Sequence, residues 1–402
     1  MVVAVRRQER KLGPACQALG ALALCALLAG CIETDVEGAA NYVGSMGGLM
    51  DHAPPARPSV VQIFIASTRK GESGAAAQEA STEGTRYALT TLTFPPGHQP
   101  GAIERPMWGS GNASDHVVVA GRRELDADEF RAELASHISG RIGVNRDILV
   151  FVHGFNTSFE EARWRAGQIA ADSHFGGVPI LFTWPTHGGL LSYASDKDSA
   201  TASRDALEEL LADLAKTPGL GRIHILAHSM GCWLTMEALR QASIAGNRDL
   251  DGHLGEVMLA APDIDLDVFA KQMARIQPAK VTVFATANDR ALSLSSWIAD
   301  ARQRVGAIDP SKAKDKAEIE KLGAKVYDLS AFSDGLIGHG LYADTPDVIH
   351  AIGAQLAAPR AQEVNTVSVI DATGSDGAPS PPSVAPATPS VTGATPLAAP
   401  TQ

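Results

Sequence analysis

Cysteine is scarce in this chain: 402 residues hold four, Cys16, Cys25, Cys31 and Cys232. Two of them precede residue 30, so a cleaved leader would leave Cys31 and Cys232 and exclude a disulfide framework. Metal and nucleotide signatures are missing too. There is no His-Glu-x-x-His, no closely spaced cysteine pair and no Gly-rich phosphate loop after a strand, so no metal and no cofactor is expected. Basic residues are outnumbered, 34 against 45 acidic, giving a formal net charge of -11. No basic patch stands out to neutralise phosphates, which argues against a nucleic-acid partner. No apolar run reaches the ~20 residues a spanning helix needs, and no internal repeat is visible. What is present, 45% hydrophobic and 20% charged residues, suffices for one large α/β domain or two small ones.

The N-terminus reads as a targeting signal. Arg6, Arg7, Arg10 and Lys11 precede an apolar stretch from Ala18 to Ala29, and then come Gly30 and Cys31. Leu28-Ala29-Gly30-Cys31 resembles a bacterial lipobox. It implies a signal peptide over 1–30, cleavage before Cys31, and diacylglycerol with a further acyl group (palmitate) on that cysteine. Ile32 is not the Asp that favours inner-membrane retention, so in a host with two membranes the expected place is the outer membrane, facing the periplasm. Residues 31–57 read as a tether, 58–358 as the folded domain, and 359–402, rich in Pro, Ala, Thr and Ser, as a disordered tail.

Between these ends, strands and helices alternate. Strands are expected at Ser59 to Ser67, Tyr87 to Phe94, Val117 to Ala120, Ile148 to Val152, Pro179 to Thr183, Ile223 into the elbow, Glu256 to Ala260, Lys280 to Ala285 and Lys325 to Leu329. Helices are expected over Asp126 to Ser139, from a Thr157 or Ser158 capping box to about Asp172, and over Ser199 to Lys216. Others follow at Asp267 to Ile276, Leu292 to Val305 and Pro346 to Leu356. The polar stretch Lys70 to Thr85 reads as a loop. Five consecutive apolar residues at Ile148 to Val152 suit a strand buried on both faces. This alternation predicts a doubly wound, mostly parallel sheet with helices on both faces.

The pivotal stretch is Ile223 to Gly231, where an apolar strand passes through Ala227-His228-Ser229-Met230-Gly231 into a helix. Such a strand–turn–helix exposes a serine hydroxyl at a nucleophile elbow, with Ala227 here in place of the first Gly of Gly-x-Ser-x-Gly. In the α/β-hydrolase fold the acid and base follow the serine in the chain, each after a strand. Asp289 after Lys280 to Ala285, and His339 after Lys325 to Leu329, occupy those places. Ser229 is then the nucleophile, His339 the base and Asp289 the acid that orients it. Asp263 and Asp265, after the preceding strand, stay open as alternative acids. Of the later histidines, His253 precedes a strand and His350 falls within a helix. The oxyanion donors would be the backbone N–H groups of Met230 and Phe155. Trp184, His187 and Trp233 could line the pocket, and Cys232 reads as a packed side chain rather than a second nucleophile.

Six runs carry a wider resemblance: Val150 to Asn156, Phe182 to Pro185, Ser203 to Leu207, Ala227 to Gly231, Ala260 to Asp265, and Asn288-Asp289. Together they resemble a bacterial esterase/lipase-like family of α/β-hydrolases, over roughly Val60 to Leu356, many members of which lack an assigned substrate. The resemblance implies the α/β-hydrolase fold, a triad and hydrolase chemistry. The expected activity is a lipid-anchored serine hydrolase cleaving a small ester or acyl substrate through an acyl-enzyme. An amidase, peptidase or acyltransferase would use the same triad, and a non-catalytic envelope binding lipoprotein on the same scaffold is the rival of a different class. Oligomeric state is not legible.

Overall fold

The computed structural model describes residues 58–106, 111–287, 303–330 and 341–357. Nine strands form one sheet: β1 (Ser59–Ser67), β2 (Arg86–Phe94), β3 (Val118–Leu125), β4 (Ile148–Val152), β5 (Val178–Thr183), β6 (Ile223–His228), β7 (Leu254–Ala260), β8 (Lys280–Ala285) and β9 (Ala324–Asp328). Their order is β3-β2-β1-β5-β4-β6-β7-β8-β9. From β1 to β9 neighbouring strands run parallel, while β2 and β3 add an antiparallel edge. That edge is charged and exposed, with Arg122, Arg123 and Glu124 on β3, which discourages pairing with another chain.

Period-two alternation splits the central strands between two cores. Val150 and Val152 of β4 face one core, and Leu149 and Phe151 face the other. The first core is covered by α1 (Ala127–Ser139), α4 (Arg204–Ala215), α5 (Met230–Ile244), α6 (Leu266–Ile276) and Ile319 of α7 (Ala313–Lys321). The second is covered by α2 (Phe159–Asp172) and α9 (Pro346–Leu356), with the short α8 (Leu341–Asp344) before it. Reciprocal capping boxes start α1 at Asp126/Glu129 and α2 at Ser158/Glu161.

Sequence and structure differ at several elements. The single helix expected over Ser199 to Lys216 is two, α3 (Tyr193–Ala202) and α4. Ser203 marks the break: its Oγ donates back to Ser199 O at 2.9 Å and also meets Thr68 Oγ1 at 2.9 Å, which bends the chain between them. β3 runs to Leu125 rather than Ala120, and α7 carries no helical signal in its sequence, because its charged residues bury only Ile319. The helix expected over Leu292 to Val305 falls mostly outside the described residues, and Val305 itself begins a 3-10 turn, Val305–Ala307.

Strand order locates the working end of the sheet. From β4 the chain moves to β5 on one side, and from β6 to β7 on the other. Diverging connections leave a crevice at the carboxyl ends of β4 and β6, where α/β proteins place ligands.

Candidate active site

Ser229 sits in that crevice, as the cap residue between β6 and α5, at φ 52° and ψ −119°. This is the backbone of the first central residue of a type II′ turn, which glycine normally occupies. Three backbone bonds hold it there. Its N–H donates to Ala260 O at 2.9 Å, and its carbonyl accepts from Cys232 N at 3.0 Å and Asp263 N at 3.2 Å. The turn also needs two neighbours without side chains. A Cβ on Gly154 would lie 3.0 Å from Ser229 Cβ and 2.8 Å from His228 Nδ1, and one on Gly231 would press on the Val152 and His153 carbonyls. Ala227, fully buried, fits without such a conflict.

The loop after β4 is held from behind. His153 is 1% exposed, and its ring stacks on Trp184 at 5.2 Å. Its Nδ1 lies 2.9 Å from the Gly154 carbonyl, which can only accept, so Nδ1 carries the proton. Its Nε2 accepts from Trp184 N at 3.2 Å. The ring is therefore neutral, and both burial and the Arg69 charge hold its pKa well below the usual histidine value. Because Gly154 O turns toward His153, the Phe155 N–H of the same trans peptide turns the opposite way. Among the described residues neither Phe155 N–H nor Met230 N–H has a hydrogen-bond acceptor.

Trp184 corrects the expectation of a pocket wall. It is fully buried, and its Nε1 donates to His153 O at 3.0 Å, so it braces the loop instead. Trp233, one turn after Ser229, is half-buried, under Lys197 Nζ at 4.6 Å from the ring centroid. His187 lines a cleft of ≈ 370 Å³ with Asn156, Thr186 and Gly188, and its Nδ1 donates to Asp196 Oδ1 at 2.7 Å. Cys232 is buried, its Sγ donating to Ala227 O at 3.2 Å, and burial pushes its thiol pKa well up, which leaves it inert.

The carboxylates near the elbow have other partners. Asp263, 3% exposed, accepts from Tyr193 OH at 2.7 Å and ion-pairs with Arg304 Nε at 3.2 Å. Tyr193 in turn packs edge-on against Phe155 at 5.7 Å, so α3 roofs the crevice. Asp265 caps α6 through Asp267 N and Val268 N. Asp289 and His339 lie outside the described residues. The chain segments leading to them leave the carboxyl ends of β8 and β9 side by side, tied by Leu329 N to Ala285 O at 2.9 Å and Ala287 N to Ser330 Oγ at 3.3 Å. Among the described residues no group of three or more His, Cys, Asp or Glu side chains is placed to hold a metal ion.

Comparison with a protein-family profile agrees with this architecture. A family profile described as "Alpha/beta hydrolase of unknown function (DUF900)" matches residues 126–360. An uncharacterized protein of Nostoc sp. is 38% identical over 63 residues, 15% of this chain, and the chain spans only 16% of that curated relative's length. Among solved structures, an esterase from Pyrococcus furiosus is similar at 12% identity and a TM-score of 0.33, over 53% of this chain and 82% of its own. Carboxyl esterase 2 from Tuber melanosporum is similar at 10% identity and a TM-score of 0.36, over 86% and 98%.

Proposed function

We propose, from the premise that this chain belongs to the DUF900 family of α/β hydrolases, that it is a serine hydrolase cleaving carboxylic esters through an acyl-enzyme on Ser229. The observation that carries this reading is the positive-φ elbow at Ser229, packed against a glycine loop, with the Phe155 and Met230 N–H groups lacking described acceptors. In the proposed cycle His339 takes the Ser229 proton as Oγ attacks the ester carbonyl, and the developing oxyanion is held by those two N–H groups. Collapse expels the alcohol, which takes the proton from His339. Water then attacks the acyl-enzyme with His339 again as base, releasing the acid and restoring Ser229. Asp289 holds the His339 imidazole. Asp263 and Asp265 are less suited to that task, since one is engaged by Tyr193 and Arg304 and the other caps a helix.

Lipid attachment at Cys31 and residence in the outer membrane belong to the same proposal. Metabolic labelling with a palmitate analogue, lost in Cys31→Ser, tests the first, and membrane fractionation the second. For the chemistry, wild type should be labelled by a fluorophosphonate probe and hydrolyse p-nitrophenyl esters. Ser229→Ala and His339→Ala should do neither, and Asp289→Asn should lower kcat more than Asp263→Asn. A well-folded wild type inert to probe and esters would remove the serine-hydrolase reading. Product formed with an added alcohol or amine in place of water would redefine it as acyl transfer.

A further inference from the structure

Behind the crevice lies a cation that the proposed chemistry does not use. Arg69, two residues past β1, is 1% exposed, and among the described residues no carboxylate ion-pairs with it. Burying an unpaired charge is costly, so its hydrogen bonds must compensate. Nε donates to Thr183 Oγ1 at 2.8 Å and Nη1 to Ala77 O at 2.7 Å. Nη2 donates to Thr157 O at 2.8 Å and lies 3.2 Å from His153 Nε2. One guanidinium thus joins the segment after β1, the end of β5, and both ends of the loop that carries Phe155. Burial draws it down to about 10, with the Asp196 charge pulling it back up, so it stays a cation at neutral pH.

We propose that Arg69 is a positioning residue for the oxyanion hole, fixing the Phe155 N–H through the His153 ring and the Thr157 carbonyl. This rests on the serine-hydrolase reading above. At the upstream end of the loop, the Nη2 donor, the Thr183 hydroxyl at 2.9 Å and the Trp184 N–H crowd onto His153 Nε2. A nitrogen surrounded by donors must keep its lone pair, so the single ring proton is confined to Nδ1. That proton holds Gly154 O, and Gly154 O sets the direction of the Phe155 N–H. The opposite tautomer would set N–H against N–H at Nε2 and leave Gly154 O without its donor, freeing the peptide to turn the Phe155 N–H out of the crevice. At the downstream end the same Nη2 holds Thr157 O, and the neighbouring Thr186 Oγ1 donates to that oxygen too, at 2.8 Å. The loop between these anchors is only Gly154, Phe155 and Asn156.

A purely structural Arg69 would affect folding and leave the chemistry of folded molecules intact. A positioning Arg69 acts on the transition state, where the oxyanion forms, and spares substrate binding. The test compares full-length wild type, Ser229→Ala, Arg69→Gln, His153→Phe and the Arg69→Gln/His153→Phe double variant on a p-nitrophenyl ester. Inhibition by a boronic acid, whose serine adduct is tetrahedral, and thermal melting are measured alongside. His153→Phe keeps a ring against Trp184 and deletes both nitrogens. Each single variant should lose on the order of 10²-fold in kcat with KM unchanged, as for a displacement near 1 Å. Boronate affinity should fall in parallel, and the double variant should lose far less than the product of the two.

Retention of wild-type kcat by folded Arg69→Gln, a loss confined to KM, or strict additivity in the double variant would overturn the positioning role while leaving the hydrolase reading intact. Should Arg69→Gln fail to fold, His153→Phe decides: undiminished kcat and boronate affinity overturn the proposal, and their joint loss sustains it. Activity surviving in Ser229→Ala, or a wild type without activity, would instead strike the hydrolase reading itself and this inference with it.

Discussion

Replacing Gly231 by alanine perturbs the contact on which the crevice depends. An ideal Cβ at this position would lie 2.7 Å from Val152 O and 3.0 Å from the His153 carbonyl carbon, and nearer still to His153 O. All three are backbone atoms at the end of β4, so no side chain can move aside. Ordinary contact requires ~3.5 Å or more between heavy atoms, so α5 and the β4 end must separate by several tenths of an ångström at least. Helix propensity favours alanine over glycine by ~1 kcal/mol, whereas overpacking of this kind costs about 1–3 kcal/mol. The net is destabilising, and at ~2–4 °C per kcal/mol for a domain of this size the melting point should fall by a few degrees. Function should suffer more than stability. α5 begins with Met230 and the β4 loop carries Phe155, so the added methyl moves one proposed oxyanion donor away from the other. Losing one such donor costs about 10²–10³-fold in kcat, so a drop on that order is expected with KM little changed. Gly140→Ala serves as the control, because a Cβ there meets nothing within 4 Å at a φ of −77°. Steady-state hydrolysis of a p-nitrophenyl ester and a melting curve decide the matter. Wild-type kcat in Gly231→Ala would refute the claim that this backbone contact sets the donor spacing.

Two further perturbations test the surroundings. Tyr193→Phe removes one donor to the Asp263 carboxylate and should cost about 1.5–3 kcal/mol, whereas Asp263→Ala leaves the buried Arg304 charge without its carboxylate and should cost about 3–5 kcal/mol; equal losses in urea denaturation would contradict this assignment. His98 holds Glu104 at 2.8 Å through Nδ1 and Asp172 at 2.7 Å through Nε2, and since carboxylates only accept, both nitrogens are protonated. Burial opposes the charged ring, but the bonds to Asp172 and Glu104 outweigh it and raise its pKa. Its contribution is therefore complete below the unfolded value of about 6.5 and is lost as pH rises through the higher folded value. Asp172 is also buried, but His98, Gly101 and Gln168 outweigh this and lower its pKa, so its contribution is lost on acidification instead. Stability measured by urea should thus decline above about pH 6.5, and His98→Gln should flatten that decline; parallel curves would show that the cluster does not titrate with folding.

What the sequence disclosed follows from the range over which its signals act. The elbow was legible because strand, turn and helix at Ser229 are contiguous, and β4 because five apolar residues stand together. The place of Trp184 at a strand end suggests a pocket wall, but its indole turns to the His153 carbonyl, a direction that leaves no trace in local pattern. The role of Arg69 had no sequence signal at all. Its partners Thr183, Thr157 and His153 lie 114, 88 and 84 residues away, and only the adjacency of β1, β5 and β4 brings them together. The start of α3 escapes for a different reason: Tyr193 to Asp198 is polar, and only Tyr193 and Asp196 in it are buried, too thin a stripe to announce a helix.

The strain at Ser229 itself can be measured, and it separates the needs of folding from those of chemistry. A non-glycine residue held in so sparse a backbone region costs about 1–3 kcal/mol, sustained here by the bonds to Ala260, Asp263 and Cys232. Ser229→Ala removes the hydroxyl but keeps Cβ, and so keeps the strain. Ser229→Gly removes both. Glycine gives back about 0.4–1 kcal/mol through the greater freedom of the unfolded chain, less than the strain it relieves over most of that range. The glycine variant should therefore melt a few degrees above the alanine variant at ~2–4 °C per kcal/mol, although neither reacts with a fluorophosphonate. Equal or reversed melting points would mean that Cβ at φ 52° costs no more than the ~0.4–1 kcal/mol that glycine gives back. The three backbone bonds would then hold the turn against little strain, and the serine could not be counted as a residue kept in place against a strong preference of its own backbone.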